Sequence, residues 1–534
     1  MRQWVGRKQK MAKITSWKDK KARVFGELVA ILGEENVSEN LAVRAGYRLA
    51  GRLSPLGKPP KIVALPRTVE HVQQIVKLAN KENVSILPIC GGSSTRSSDA
   101  DILLDMMMMD KILKIDPENS YVLVEPGVTF AHLDPILRKL NYVIPRGSNP
   151  MTVSAAGNLA VNRSVDNNFS GRRGDQALGV EVVLFDGTIL RTGLAALGTD
   201  YWQYSSKEVP DLKGIFMNAA THAPILGIIT KAAIRIWPAM EARAVPIAGF
   251  EEFENTFKYC KVLVDAGIVD QTTIWNWVLV GMTDRRAGER GGQDDLDFLN
   301  YRMKAGYTEP YRGLRTYYAM ASCRGFKEQV EVYEKLCERI AREQGGKVLS
   351  EEELQNTIPH CAKLVRLWWK DYNFGDQKEK AQHMWSIGGE GQADSWYIQG
   401  WVDDLIKVEK VFAPRLMEKY GFLAAPLICR VYETGQGGHL RYVPGSDVLD
   451  DFQIKRHAKI RKEMNDWVKE NFPNVQPTSG SMHIDTFPNP MIDVLNKIRD
   501  VLDPNHIGYK AGEARLEPEV EDEEKATGTA AATA

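Results

Sequence analysis

The sequence predicts an α+β protein built from two structural units. From Pro59 to about Pro238, short apolar runs alternate with amphipathic segments, which is the pattern of strands interleaved with helices. From about Ala244 the pattern changes to longer helical segments with strand-like runs between them, and residues 491–515 look like a return to the first unit. A chain of 534 residues with 43% hydrophobic content is long enough to bury two cores.

The first unit opens with the pattern of a β-α-β motif. An amphipathic segment predicts a helix over Val69–Lys81, and the runs Lys61–Ala64 and Ser85–Ile89 on either side of it predict strands. Tyr121–Val124 and Val180–Phe185 are nearly continuous apolar runs, which are typical of buried strands.

In the second unit, the same criteria predict helices over Glu328–Gln344 and Lys407–Lys419, and strands over Gln271–Val280, Leu314–Ala321 and Pro426–Glu433. A helix over Met491–Leu502 is expected to stop at Asp503-Pro504. The segment of residues 18–50 looks helical and polar, as a lead-in arm would. The tail from Glu517 to Ala534 is acidic and then rich in alanine and threonine, which predicts disorder.

Composition narrows the class of protein. Lysine plus arginine (69) equals aspartate plus glutamate (69), so no net field favours binding to nucleic acid or to a membrane. The six cysteines are scattered without a CxxC pair, which argues against a disulfide framework or a structural metal and suits a reducing compartment. The basic N-terminus lacks the apolar core of a secretory signal, and no run approaches the roughly 18 apolar residues of a membrane span. We therefore expect a cytoplasmic protein.

The most informative segment is Ile86-Leu-Pro-Ile-Cys-Gly-Gly-Ser-Ser-Thr95, in which an apolar strand runs into a Gly-Gly-Ser-Ser-Thr turn. Glycines allow a tight turn whose backbone N–H groups can approach an anion, and the three hydroxyls add donors for phosphate oxygens. Alone this pattern is weak, because such turns often only connect elements.

Further motifs follow that turn in a fixed order. They are Leu103-Leu-Asp-Met106, Tyr121-Val-Leu-Val-Glu-Pro-Gly-Val-Thr129, Val153-Ser-Ala-Ala-Gly-Asn-Leu159, Gly174-Asp-Gln-Ala-Leu-Gly-Val-Glu-Val-Val-Leu-Phe-Asp-Gly-Thr188, Gly227-Ile-Ile-Thr-Lys231 and Val501-Leu-Asp-Pro-Asn-His-Ile507. This order and spacing resemble the vanillyl-alcohol oxidase / p-cresol methylhydroxylase family of FAD enzymes. The resemblance implies a two-domain α+β flavoprotein with an FAD-binding PCMH-type domain and an antiparallel-sheet cap domain.

The implied domain boundaries follow the changes in pattern. They are an N-terminal arm (1–53), an FAD-binding domain (54–243), a substrate or cap domain (244–490), a C-terminal return to the FAD domain (491–515) and a disordered tail (516–534).

The resemblance also assigns cofactor-binding residues. The pyrophosphate loop corresponds to Gly91, Gly92, Ser93, Ser94 and Thr95, and the adenine-side turn to Pro126, Gly127 and Val128. A second cradle corresponds to Thr152, Ser154, Gly157 and Asn158, and the adenine edge to Gly227, Ile228 and Ile229. Asn149 and Lys510 complete the cofactor-binding set. The family's closing Pro-Gly-Lys is replaced here by Gly-Tyr-Lys.

Covalent attachment of the flavin is not expected. Family members that oxidise aromatic alcohols often tether the ring to a histidine or tyrosine on a cap-domain strand. In this chain that strand falls near Ala393–Ile398, which contains no histidine, and Tyr397 lies off register. We therefore expect non-covalent FAD.

The phenolate-binding residues of the phenol-oxidising branch are replaced. Its first tyrosine falls at Arg96–Ser97, its Tyr-Arg pair near Gln476-Pro477, and its acid at Asn149. An amide cannot accept a proton as a carboxylate does, and Gln-Pro supplies no positive charge. The fold can be shared without the substrate chemistry, because function resides in the site.

A predicted hairpin over residues 428–442 carries the clearest candidates for a replacement site. Alternation places Arg430 and Tyr432 on one face of its first strand, and His439 and Arg441 on one face of its second. Imidazole is the usual general base for an alcohol O–H, and arginine can hold a carboxylate with two hydrogen bonds. Alternatively, these are solvent-facing strand charges and a hydrogen-bonded turn histidine. His483, in Gly480-Ser-Met-His-Ile-Asp485, is a second candidate base.

These observations predict an FAD-dependent oxidoreductase, a dehydrogenase or oxidase, that removes a hydride from an alcohol or benzylic carbon of a small aromatic substrate to flavin N5. One alternative is a 2-hydroxy-acid dehydrogenase of the same fold, with the arginines holding the carboxylate. Another is a flavin-bearing electron-transfer or non-catalytic subunit. A redox partner protein as electron acceptor and a homo-oligomeric state are also expected from the resemblance.

Overall fold

The computed structural model describes residues 17–47, 58–91, 100–144, 151–160, 173–202, 210, 212–216, 226–287, 296–298, 300–301, 309–370, 392–393, 396–421, 426–432, 435–442, 445–446, 451–478 and 489–508. In these ranges the chain folds into helices and three main sheets. No helix in the described ranges is long and apolar enough to cross a membrane.

The first sheet is mainly parallel and contains the predicted β-α-β motif. Its strands are β1 (Val37–Ser38), β2 (Ile62–Ala64), β3 (Ile86–Ile89) and β4 (Ile102–Asp105), in the order β1-β2-β4-β3. Helix α3 (Val69–Glu82) connects β2 to β3, and β4 inserts between these two strands, parallel to both. The helix begins where the Thr68 side chain accepts the N–H of His71, and it ends at Asn83 in the left-handed region.

The N-terminal helices precede this sheet: α1 is Trp17–Leu32 and α2 is Leu41–Gly46. Although the sequence of α1 looks polar, its residues Val24, Leu28 and Leu32 are buried in the core that also contains the apolar face of α3. Four-residue spacings align these side chains on one helical face, so this part of the lead-in segment is integral to the first layer.

The second sheet is antiparallel, in the order β5-β6-β10-β8-β9. Its strands are β5 (Ile112–Asp116), β6 (Tyr121–Val124), β8 (Ala177–Val183), β9 (Ile189–Arg191) and β10 (Ile228–Arg235). Helices α4 (Phe130–Lys139), α5 (Ala155–Ala160) and α6 (Lys213–Phe216) occur in the connections, and β7 (Tyr142–Val143) pairs with β11 (Trp237–Pro238). The core on one side of this sheet includes Phe130 and Leu159 from α4 and α5.

The third sheet is also antiparallel, in the order β16-β13-β15-β14-β19-β20-β18-β22, with β12 pairing to β15. Its strands are β12 (Ala242–Ala244), β13 (Ile247–Phe250), β14 (Gln271–Asn276), β15 (Tyr317–Gly325), β16 (Lys347–Val348), β18 (Trp396–Gly400), β19 (Pro426–Val431), β20 (Gly438–Tyr442) and β22 (Val475–Thr478). Strand β17 (Gln392–Ala393) pairs with β21 (Gly445–Ser446).

Helices of this part of the chain pack against the third sheet. They are α7 (Phe253–Asp265), α8 (Trp277–Ala287), α9 (Lys327–Glu343), α10 (Glu351–Thr357), α11 (Pro359–Lys370), α12 (Val402–Tyr420) and α13 (Asp451–Asn471). The face formed by Ile274, Cys429, Leu440 and Ile398 shares a core with Phe257 of α7 and Leu405 of α12. The opposite face of strands β18, β19 and β20 carries the polar residues discussed below.

One predicted strand is wrong in its second half. The apolar run Gln271–Val280 is a strand only as far as Asn276, and Trp277 begins a helix. The Asn276 side-chain oxygen accepts the N–H of Leu279 at 3.1 Å, as a helix N-cap does. The apolar residues after Asn276 therefore belong to a buried helix, which apolar content alone does not distinguish from a strand.

The C-terminal helix α14 (Asn489–Leu502) ends at Asp503-Pro504, as its sequence predicts. The chain then reaches the first sheet, where Gly508 forms a parallel bridge with Ile86.

Candidate active site

The predicted adenine-side turn is held closely against the backbone of residues 107–109. Gly127 donates its N–H to the carbonyl of Met109 at 2.6 Å. A Cβ on Gly127 would lie 2.4 Å from the carbonyl oxygen of Met107 and 2.7 Å from that of Met109. Because neither backbone group can move aside easily, the Pro126-Gly127-Val128 turn requires glycine at its centre.

This turn is attached to the second predicted cradle. Ser154 pairs with Thr129 in an antiparallel bridge, and the N–H of Ala155 donates to Val128 at 2.9 Å. The Ser154 hydroxyl donates to the Pro126 carbonyl and accepts the N–H of Gly157 at 2.9 Å. Ser154 therefore has a structural role in fixing the two segments relative to each other.

The beginning of the pyrophosphate loop approaches the same place. A Cβ on Gly91 would lie 3.8 Å from the carbonyl oxygen of Thr152. A Cβ on Gly157 would lie 3.2 Å from the Ser154 hydroxyl and 3.4 Å from the Cys90 sulfur. The loop and the second cradle thus meet at small residues, which leave room for backbone amides to approach a ligand.

The predicted adenine edge lies at the start of β10. A Cβ on Gly227 would lie 2.5 Å from the Val182 side chain, so a bare backbone is needed there as well. Ile228 is buried in the core cluster that includes Ile86, and Ile229 pairs with Val182 across the second sheet. Asn158 is buried on α5. The glycine positions and their surroundings fit a dinucleotide held mainly by main-chain groups.

Several predicted residues lie outside the described ranges, namely Gly92, Ser93, Ser94, Thr95, Asn149, His483 and Lys510. Their assignments remain predictions.

The predicted hairpin is present, and its candidate side chains share one face. Arg430 on β19 is the direct register partner of His439 on β20, and His439 is in turn opposite Gln399 on β18. Arg441 is opposite Tyr397. Since directly paired residues of an antiparallel sheet point to the same side, as do residues two apart in one strand, all five lie on one face.

Aromatic rings surround the imidazole on this face. The ring centroids of Tyr397 and His439 are 5.4 Å apart, and those of Tyr432 and His439 are 5.7 Å apart. The guanidinium carbon of Arg441 lies 5.2 Å from the centroid of the Tyr397 ring, within the range of a cation–π contact. We call this set, Arg430, Tyr432, His439, Arg441 and Tyr397, the hairpin cluster.

The hairpin cluster is electrostatically positive. His439 and Arg441 are 8% and 6% exposed. Burial, and then the charges of Arg430 and Arg441, lower the pKa of His439 well below its usual value of 6.5. Burial, and then the charge of Arg441, also lower the pKa of the Arg430 guanidinium, although arginine keeps its proton in proteins. The imidazole is therefore neutral near pH 7 and can accept a proton, beside two cations that an anionic ligand would stabilise.

Two residues extend this face beyond the hairpin. Gln399, between His439 and Gln476 in the register, was missed by sequence reasoning, because alternation from Tyr397 gives its strand face but not its partners on the neighbouring strands. Gln476, in the segment that replaces the phenolate-binding pair, is exposed. Trp396 is 2% exposed and shares the core with Ile398, so it has a packing role and does not line the site.

Comparison with known proteins supports the cofactor and the fold. Residues 60–193 match the family model of an FAD binding domain. The chain is 26% identical over 492 residues to the 4-cresol dehydrogenase [hydroxylating] flavoprotein subunit of Pseudomonas putida, covering 84% of this chain and 89% of that protein. It is 23% identical over 383 residues to a probable mitochondrial D-lactate dehydrogenase of Danio rerio, covering 70% of this chain and 65% of that protein. Its fold matches the crystal structure of substrate-bound p-cresol methylhydroxylase with a TM-score of 0.76 and 21% identity, over 92% of this chain and 96% of that one.

The fold and the glycine-lined cradle therefore define an FAD-dependent oxidoreductase with a two-domain α+β structure. Within that class, the chain is similar to the vanillyl-alcohol oxidase / p-cresol methylhydroxylase family, so the resemblance that its motifs predict is confirmed. FAD as the cofactor is likewise confirmed.

Proposed function

We propose that this enzyme removes a hydride from an alcohol or benzylic carbon of a small aromatic substrate that carries an anionic group. The observation behind the proposal is that His439 is paired in register with Arg430 and lies two residues from Arg441 on the same strand. This arrangement places a neutral base beside two cations. When bound, FAD supplies N5 as the hydride acceptor.

Each member of the hairpin cluster has a role in this proposal. Arg430 and Arg441 hold the anionic oxygen of the substrate by charge-assisted hydrogen bonds. His439 accepts the proton of the substrate hydroxyl as the carbon–hydrogen bond breaks, which its neutral state allows. Tyr397 and Tyr432 provide aromatic surfaces on both sides of the imidazole, against which an aromatic ring can pack.

The cofactor is held, in this proposal, by the loop beginning at Gly91, the Pro126-Gly127-Val128 turn, the second cradle and the edge at Gly227. Binding is non-covalent, since no histidine is present at the family's tethering strand near Ala393–Ile398. The division into an FAD-binding domain (54–243) and a cap domain (244–490) belongs to the same proposal. It assigns the hairpin cluster to the cap and the cradle to the FAD-binding domain.

A 2-hydroxy-acid substrate is a second candidate, and the two arginines favour it. A carboxylate on the carbon next to the reacting one would match their charge, and the planar fork of a guanidinium suits that group. The similarity to a probable D-lactate dehydrogenase is consistent with this alternative. The two candidates share the roles of His439, Arg430 and Arg441 and differ in whether an aromatic ring is needed.

The experiment is anaerobic mixing of the purified holoenzyme with three substrate sets, namely aromatic alcohols with an anionic group, alkylphenols and aliphatic 2-hydroxy acids, while the visible flavin band is followed. Bleaching by the first set supports the proposal. Bleaching by aliphatic 2-hydroxy acids alone supports the second candidate. Failure of all three sets to reduce a flavin that dithionite does reduce contradicts both and favours a non-catalytic, electron-transferring subunit.

A further inference from the structure

A buried ion pair lies at the C-terminal end of α14. Asp503 is fully buried and Arg499 is 4% exposed. The Arg499 Nε and an oxygen of Asp503 are 3.5 Å apart. Burying two charges costs several kcal/mol for each ion unless their remaining hydrogen-bonding groups also find partners. The other hydrogen-bond partners of Arg499 and Asp503 therefore indicate the role of this ion pair.

Both side chains bind the backbone of the segment that follows the helix. The two carboxylate oxygens of Asp503 accept the N–H groups of Ile507 and Gly508, each at 2.9 Å. Arg499 donates to the carbonyl of Gly508 at 2.8 Å. The ion pair thus fixes both polar groups of Gly508 and one of Ile507. We call Arg499, Asp503, Ile507 and Gly508 the C-terminal clamp.

The C-terminal clamp is attached to the edge of the first sheet. Strand β3 is the last strand in the order β1-β2-β4-β3. Its first residue, Ile86, donates its N–H to the carbonyl of Ile507 at 2.8 Å and forms a parallel bridge with Gly508. A Cβ on Gly508 would lie 2.6 Å from the buried ring of Phe185, so this close approach requires glycine.

Strand β3 leads directly into the FAD loop. It ends at Ile89, and Cys90 and Gly91 begin the Gly-Gly-Ser-Ser-Thr turn. We propose that Arg499 and Asp503 are positioning residues for FAD: by holding Ile507–Gly508 against Ile86, they fix the strand that carries the pyrophosphate loop and so set the affinity for the cofactor. This inference depends on FAD binding and not on the proposed substrate.

The experiment measures the FAD dissociation constant of the full-length apoprotein by fluorescence titration. In Asp503→Asn, the amide keeps one acceptor oxygen, but its NH₂ group cannot accept the second N–H and Arg499 loses its counter-charge. We expect the dissociation constant to rise about tenfold, the size of effect that a coupled network transmits to a neighbouring site. The visible circular dichroism of bound flavin should also change.

Two further variants separate positioning from general stability. Asp270→Asn breaks a comparable buried pair, in which Asp270 lies 2.9 Å from Arg324 in the third sheet. It should lower the melting temperature of the apoprotein without changing FAD affinity. Gly508→Ala should displace the C-terminal clamp from Ile86 without removing a charge. If Asp503→Asn does not fold, the FAD affinity of Gly508→Ala is measured instead.

The proposed positioning role is supported if Asp503→Asn or Gly508→Ala binds FAD more weakly while Asp270→Asn binds it as the wild type does. The proposal is overturned if the folded clamp variants bind FAD within about twofold of the wild type. It is also overturned if Asp270→Asn weakens FAD binding as much as they do.

Discussion

Arg430 and His439 face each other directly across the β19–β20 hairpin, on the same side of the sheet. Burial lowers the pKa of His439, and the charges of Arg430 and Arg441 lower it further. In the proposed function, the anionic group of the substrate binds beside these two arginines.

The first prediction concerns that charge. Replacing Arg441 by methionine should raise the dissociation constant of an anionic substrate by about 10- to 100-fold, because a charge-assisted hydrogen bond contributes about 1.5–3 kcal/mol. A neutral analogue of the same size, such as the corresponding amide or ester, should lose much less. Arg441→Lys keeps the charge and is the matched variant. Equal losses for the charged and neutral ligands would rule out the anion-binding role.

The second prediction concerns pH. A general base works in its neutral form, so activity falls as the pH drops through its pKa. In the enzyme without substrate, the pKa of His439 lies well below 6.5. We therefore expect kcat/KM to stay level from pH 8 down to about 6 for a substrate whose own charge is constant in that range.

The Arg441→Met variant provides the comparison for this profile. Removing one of the two cations should raise the pKa of His439, which moves the acid limb of kcat/KM to higher pH. The prediction is contradicted if kcat/KM of the wild type already falls near pH 6.5 and Arg441→Met does not shift that fall. Such a result would show that a group other than His439 titrates.

The third prediction concerns the cofactor cradle. Gly127→Ala places a methyl group 2.4 Å from the carbonyl oxygen of Met107, so the adenine-side turn must move. We expect FAD affinity to fall by about tenfold or more, as measured by titration of the apoprotein. Gly26→Ala is the matched control, because a Cβ there meets no atom within 4 Å. Unchanged FAD affinity in Gly127→Ala would remove this turn from the cradle.

The direction of side chains within a strand could be predicted from the sequence, but the pairing of strands with one another could not. Alternation correctly placed Arg430 with Tyr432 on one face of the first strand and His439 with Arg441 on one face of the second, because side-chain direction within a strand depends on position parity. That the two faces coincide follows from the strand register, which alternation does not give. The insertion of β4 between β2 and β3 was not predictable, since it depends on pairing between residues distant in the chain. Alternation also gave no reason to place Gln399 beside His439, because strand register is a tertiary property.

The fourth prediction concerns stability. Glu409 on α12 is 4% exposed and accepts the hydroxyl of Tyr317 at 2.6 Å. Burial raises its pKa from 4.5 to about 7. An acid with a higher pKa in the folded state holds its proton more tightly when folded, so its contribution favours folding at low pH and is lost as the pH rises through about 7.

Glu409→Gln removes that titration while keeping an acceptor for Tyr317. The variant should therefore melt at a higher temperature than the wild type at pH 8, with little difference at pH 5. Glu254→Gln, at a site of exposed ion pairs, is the control and should show no such pH dependence. A wild type that melts higher than Glu409→Gln at pH 8 would contradict the assigned protonation.

The central claim is that His439 accepts the substrate proton, and the most direct test is the rate of flavin reduction in anaerobic stopped flow. His439→Asn should slow reduction by about 100-fold or more, while FAD affinity is unchanged. His457→Asn is the matched control, because His457 is a buried histidine on α13 outside the hairpin cluster, and it should reduce at the wild-type rate. Wild-type reduction by His439→Asn would contradict the account.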